Sequence, residues 1–348
     1  MLLLLAGLTG CATPGYYLQA TRGHMSLMKA REPVEQYLAE AAPNDPIAVQ
    51  LKTAQAALVF AEDTLDLPAD GSYQTFARTG ERGVTWNVVA TPAYALTPKR
   101  WCFPVAGCVP YRGYFDRDDA ERFSAKMRSK GRDSAIFTAT AYSTLGWFED
   151  PILDTMLTGN EAQLVDTLFH ELAHQRLYVK GAGRFNESYA TFVAREGVRA
   201  WMVERGNPEA FDAWQDREAV LTEFTTLLAE TRGELALLYA TETEPSRLAA
   251  GKAEAFERLG TRYDALVAGP WNGRDRFRSW FEPPPNNADL ALMATYTGGL
   301  CAFEGLWKKA QGDFRRFHEF AREAGEQSAE ERERWLDSEC ADGSGSGR

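Results

Sequence analysis

Five consecutive residues carry the strongest chemical signal in the chain: His170-Glu171-Leu172-Ala173-His174. On an α-helix, positions i and i+4 are neighbours on one face. Two imidazoles at that spacing can point at one metal ion. The Glu between them lies near the ion's open position, where it can take a proton from water. Half of the chain's four histidines fall in these five residues, and His24 and His318 have no metal-like spacing around them. A catalytic zinc takes three protein ligands and leaves one position for water or substrate. The third candidate is Glu187, in Asn186-Glu187-Ser188-Tyr189-Ala190, which opens a second helix running to about Glu204. If that helix packs antiparallel to the first across the Gly-containing loop 179–185, the Glu187 carboxylate comes level with His174. Asn186 is then placed to cap it. The three ligands form a His₂Glu set suited to Zn²⁺. Spacing offers no fourth ligand, which favours an open catalytic site over a closed structural one.

These side chains need a frame. Leu164, Val165, Leu168, Phe169, Leu172 and Leu177 form the apolar face of the first helix, which runs between Pro151 and Gly181. Upstream, residues 12–22 read as a tether and 24–62 as helix punctuated by Pro43 and Pro46. Residues 84–90 and 135–142 are β-rich, with a loop-rich stretch and a short helix, about 118–129, between them. After 160 nearly everything reads as helix: a long hairpin, 208–240 with 246–268, expected to pack over the metal helices, then a Pro-rich turn and two helices, 288–308 and 313–325. The expected fold is α+β and predominantly helical, a single domain over 11–340 with a flexible tail at 341–348.

Composition narrows the function. The chain has 348 residues, 45% hydrophobic and 25% charged, values of an ordinary folded protein. Its net charge of −11 with no long basic run argues against nucleic acid as a partner. No apolar run approaches the roughly 20 residues of a membrane-spanning helix. Oligomeric state is not legible. Five cysteines are present. Cys102 and Cys108 enclose a short loop and can bridge locally, and Cys301 with Cys340 would pin the C-terminal segment. Four Cys allow three connectivities, and all stay open; the absence of a C-x-x-C pair argues against a Cys₄ zinc site.

The N-terminus, residues 1–10 followed by Cys11, suits the apolar part of an export signal, and Leu8-Thr9-Gly10-Cys11 resembles the lipobox of bacterial lipoproteins. That resemblance implies a lipid on Cys11 and membrane attachment on the periplasmic side, at the outer membrane because Ala12 rather than Asp follows. The metal motif resembles that of zincin metallopeptidases with a Glu third ligand. Much of the chain resembles the putative aminopeptidase family of bacterial lipoproteins. The resemblance rests on Gly15-Tyr16-Tyr17-Leu18-Gln19-Ala20, the stretch from Trp101-Cys102-Phe103 to Tyr111-Arg112-Gly113-Tyr114-Phe115, Ala141-Tyr142-Ser143-Thr144-Leu145-Gly146-Trp147-Phe148-Glu149-Asp150-Pro151, the metal motif itself, Phe185-Asn186-Glu187-Ser188-Tyr189-Ala190 and Asn286-Asn287-Ala288. It implies a zincin-like core whose small mixed sheet borders the cleft with an edge strand. A peptide substrate would add to that strand, here residues 135–142, with Tyr142, Ser143, Thr144 and Gly146 at the rim. Tyr296 and Tyr142 are candidates to stabilise the developing oxyanion. Glu149 and Asp150 could meet a substrate ammonium, or simply form the turn before Pro151. A cell-wall amide hydrolase with the same zinc chemistry and a non-catalytic partner-binding lipoprotein are the alternative functions.

Overall fold

The computed structural model describes residues 14–69, 71–103, 107–144 and 148–337. Cys11, Gly146, Cys340 and the expected tail lie outside the described residues, as does the side chain of Tyr296. The helices are α1 (Pro14–Lys29), α2 (Val34–Glu40), α3 (Pro46–Asp63), α4 (Arg117–Arg128), α5 (Glu161–Arg176), α6 (Gly183–Arg205), α7 (Pro208–Thr241), α8 (Pro245–Ala268), α9 (Asn287–Thr297), α10 (Leu300–Ala310), α11 (Phe314–Gly325) and α12 (Ala329–Leu336). The strands are β1 (Arg31–Pro33), β2 (Thr75–Ala77), β3 (Thr85–Pro92), β4 (Trp101–Phe103), β5 (Gly107–Val109), β6 (Tyr111–Tyr114), β7 (Arg132–Ala139) and β8 (Ile152–Leu153). The chain is thus α+β and predominantly helical. No helix among the described residues is long and apolar enough to cross a membrane.

Several element boundaries differ from those the sequence suggests. The expected tether is the front half of α1, and the expected helix over 24–62 is three helices and a strand. Asp45 accepts a bond from the Ile47 N–H with Pro46 in the first turn, so a new helix starts there. The expected helix over 288–308 breaks at Gly298 and Gly299 into α9 and α10, and α12 follows where none was expected.

α5 and α6 form the central hairpin. Its ends fix an antiparallel arrangement: Glu161, opening α5, accepts from the Trp201 indole at 2.9 Å and meets Arg205 at 3.3 Å near the end of α6. Midway, Gly197 faces Phe169; a Cβ there would lie 2.7 Å from the ring and 2.9 Å from Leu65. Only Gly lets the two helices approach this closely. Gly197→Val is expected to lower the stability measured by urea unfolding by about 3 kcal/mol, the cost of overpacking a filled core.

A large apolar core holds this hairpin against α3, the short helices α10 and α11, and the mixed sheet β1-β2-β8. A second sheet, β6-β3-β7, is antiparallel throughout. Its two faces do different work because side chains alternate with period two. Trp86, Val88 and Tyr114 pack on Ala120 and Phe123 of α4. On the opposite face Val89 and Ala135 pack on Ala288 and Leu292 of α9, while Thr85, Asn87, Gly113 and Ala139 are left to face the metal helices. The mixed pairing therefore lies in the other sheet, and the strands bordering the cleft are purely antiparallel.

The α7–α8 hairpin forms mostly its own core, built on Phe224, Leu235, Leu259, Tyr263 and Trp271 with Leu290 of α9. Only its first turns, through Phe211 and Trp214, reach the main core. The expected packing over the metal helices holds for that end alone.

Candidate metal centre

The convergence of His170, His174 and Glu187 follows from the hairpin. Asn160 caps α5 by accepting from the Gln163 N–H, and Arg176 in its last turn pairs with Asp66 at 2.7 Å. Both ends of the His-bearing helix are therefore held. Asn186 is not a cap: α6 begins three residues earlier, at Gly183. Its amide instead clamps the connecting loop, accepting from the Val179 N–H at 2.8 Å and donating to the Val179 carbonyl at 2.9 Å. That clamp sets the register that brings Glu187 opposite the histidines.

The three ligand atoms form a nearly equilateral triangle. His170 Nε2 and His174 Nε2 are 3.1 Å apart, and Glu187 Oε2 lies 3.3 Å from the first and 3.5 Å from the second. Tetrahedral zinc with bonds of about 2.0–2.1 Å needs ligand atoms about 3.3–3.4 Å apart. The residues present therefore fit a tetrahedral divalent ion, and they are the group of metal-ligating type that the described residues bring together. Electrostatics agree. Burial pushes the His170 imidazole down, but the hydrogen bond it donates to Glu187 and the charges of Glu187, Glu171 and Asp166 outweigh it and hold its pKa up. Burial would raise the Glu187 carboxyl, yet the two imidazoles hold it well below the usual carboxylate range. Glu187 is thus presented ionised, as a ligand must be.

The triangle opens onto a cleft of about 400 Å³ between the hairpin and the free sheet face. Glu171 lines it and has no hydrogen-bond or ion-pair partner among the described residues. α1 forms a further wall through Tyr16 and Ala20, residues expected from the sequence to lie in a tether.

The other expected site residues divide. Tyr142 and Ser143 line the cleft. The Tyr142 hydroxyl lies 3.2 Å from His24 Nδ1, so it is engaged at the rim. Thr144 does not line the cleft: its N–H donates to Asp150 at 2.8 Å and its hydroxyl to the Phe148 carbonyl at 3.1 Å, which shapes the rim from behind. Asp150 is fully buried, and burial raises its pKa to about 6, so it is no exposed ammonium site. Its carbonyl accepts at 2.6 Å from Tyr73, a buried residue held at φ 62°. Two tyrosines outside the expected oxyanion pair also line the cleft and feel the Glu187 charge. Tyr111 and Tyr178 line the cleft, and burial first and the Glu187 charge second raise both pKa values, keeping the phenols protonated donors. Tyr178 lies just past the end of α5, where helical spacing no longer applies, so its place in the cleft was not legible in the sequence. Cys102 and Cys108 are joined by a disulfide across the β4–β5 hairpin, and Cys301 is disulfide-bonded as well.

His318 is a core residue. Its Nε2–H donates to the Leu65 carbonyl at 2.8 Å, which leaves Nδ1 to accept from the Tyr189 hydroxyl at 2.8 Å. Burial lowers its pKa to about 4. In the unfolded chain the value is about 6.5. Between these two the unfolded state binds more protons, so the stabilisation is complete above pH 6.5 and is lost as pH falls towards 4. Urea unfolding across that range is expected to lose about 3 kcal/mol from this group, and His318→Phe to flatten the slope there.

Three residues that could hold a divalent ion, open to a cleft that a fourth, unpaired carboxylate also lines, could support metal-assisted hydrolysis. The chain belongs to the putative aminopeptidase family, whose model matches residues 15–336. Membership places it among the peptidases, which hydrolyse peptide bonds. No curated protein and no solved structure matches it.

Proposed function

We propose that the protein is a zinc-dependent aminopeptidase, lipid-anchored through Cys11 and facing the periplasm. The observation that carries this reading is the ligand triangle at the floor of a cleft that Glu171 shares. When bound, zinc supplies Lewis acidity that polarises the scissile carbonyl and makes water easier to deprotonate. Glu171 accepts the proton of the attacking water and delivers it to the leaving amine, restoring itself for the next cycle. Tyr111 and Tyr178 donate hydrogen bonds to the carbonyl oxygen as it gains charge. The substrate lies extended along β7. The other edge of that sheet supports this choice, because Gln19 of α1 already bonds the backbone of Gly113 at 3.4 Å and of Phe115 at 3.1 Å.

The test is a peptide library with free and acetylated N-termini, incubated with the purified chain with and without a chelator. Chelator-sensitive cleavage confined to free N-termini is expected. Cleavage that survives metal removal would overturn the metal-dependent mechanism, and equal cleavage of acetylated peptides would overturn the aminopeptidase assignment.

A further inference from the structure

We propose that α1 is a membrane-docking helix: its outward stripe, together with Phe148 on the rim, seats on an anionic lipid surface and holds the cleft beside it. α1 has two opposed faces. Tyr16, Ala20, Gly23 and Leu27 recur at i, i+4, i+7 and i+11 and point inward. Tyr16 and Ala20 line the cleft, a Cβ on Gly23 would collide with Phe115, and Leu27 is buried in the main core. Leu18, Arg22, Met25 and Lys29 follow the same spacing on the other side and are all exposed. Leu18 is 50% and Met25 49% exposed, large values for apolar side chains in a folded protein. Tyr17 at 38% flanks them.

The patch continues onto the rim. Phe148 is 56% exposed and its ring centroid stands 4.8 Å from that of His24 on α1. Four of the nine exposed large hydrophobics among the described residues therefore gather around one helix. The mix of Leu, Met and aromatics with basic residues is that of an interfacial helix.

Charge selects the occupant. No Asp or Glu occurs before Glu32, although the chain carries 49, while Arg22, Lys29 and Arg31 do occur there. Arg22 and Lys29 have no ion-pair partner among the described residues. A cationic, apolar stripe on a chain of net charge −11 is complementary to anionic lipid headgroups. Position agrees: only Ala12 and Thr13 separate Cys11 from the first residue of α1, three Cα steps that reach at most about 10 Å. The docking face stands on the exposure and charge of α1 and not on the peptidase reading; only its placement draws on the proposed Cys11 anchor.

The experiment uses the chain from Ala12 onward, which keeps every described element and carries no acyl chain. It is sedimented with vesicles of phosphatidylcholine alone and with vesicles containing phosphatidylglycerol. Binding to the anionic vesicles is expected. Leu18→Asp with Met25→Asp, and separately Arg22→Glu with Lys29→Glu, are expected to lower the bound fraction at least about tenfold. Val59→Asp with Leu237→Asp, on exposed apolar sites of α3 and α7, is expected to leave it unchanged. Circular dichroism confirms that each variant is folded. Absent binding, equal binding to both vesicle types, or a comparable loss in the control pair would overturn the proposal.

Discussion

Glu171→Gln is expected to lower kcat for peptide cleavage by about 10² to 10⁴-fold while bound zinc stays at the wild-type level. The size follows from what the substitution removes. Gln keeps the volume and the hydrogen-bonding reach of Glu but cannot accept a proton from water. The selectivity follows from geometry. Glu171 points into the cleft rather than into the ligand triangle, whose corners are His170, His174 and Glu187. KM should move little, because the carboxylate acts on the reacting water and not on the peptide's fixed contacts. Parallel measurement of kcat, KM and zinc content separates this from a folding defect. Loss of zinc in the variant would make Glu171 a ligand, and unaltered kcat would remove it from the chemistry.

His174→Ala is expected to abolish zinc retention and to reduce cleavage by at least about 10³-fold, without recovery on adding zinc at micromolar levels. His174 is the most buried corner of the triangle, at 7% exposure. Its removal leaves two ligands on neighbouring helices and an ionised Glu187 with one partner fewer. Chelation of the wild-type chain should have the same effect on activity but be reversed by zinc. Bound metal also stabilises the fold by mass action, about 4 kcal/mol when the free ion stands at a thousand times its dissociation constant. Thermal unfolding should therefore shift downward on chelation in the wild type and stay put in His174→Ala.

The site was more legible than the frame around it. The two histidines declare themselves because the helical period puts i and i+4 together. Glu187 follows because a loop this short leaves the second helix little choice but to return alongside the first. The role of Asn186 was hidden: clamping Val179 is a tertiary contact, while capping is the local option that residue type suggests. α1 was hidden for a different reason. Its inner face is built of Tyr16, Ala20, Gly23 and Leu27, where small residues serve close packing on Phe115 and give little hydrophobic contrast. Its outer face carries Leu18 and Met25, which further blurs the pattern. The β-rich segments were visible, but their pairing order β6-β3-β7, and hence the face turned to the metal helices, depends on contacts far apart in the chain. The break between α9 and α10 at paired glycines is a local signal, overridden in the sequence reading by continuous apolar spacing on either side.

One crystallographic measurement reaches the central claim without passing through activity. Crystals of the zinc-saturated protein, recorded on both sides of the zinc absorption edge, give an anomalous map of the metal itself. A single peak is expected about 2.0–2.1 Å from His170 Nε2, His174 Nε2 and Glu187 Oε2, with its remaining vertex turned towards the cleft and Glu171. A map with no peak inside that triangle, or with the peak held by other side chains, would contradict the account.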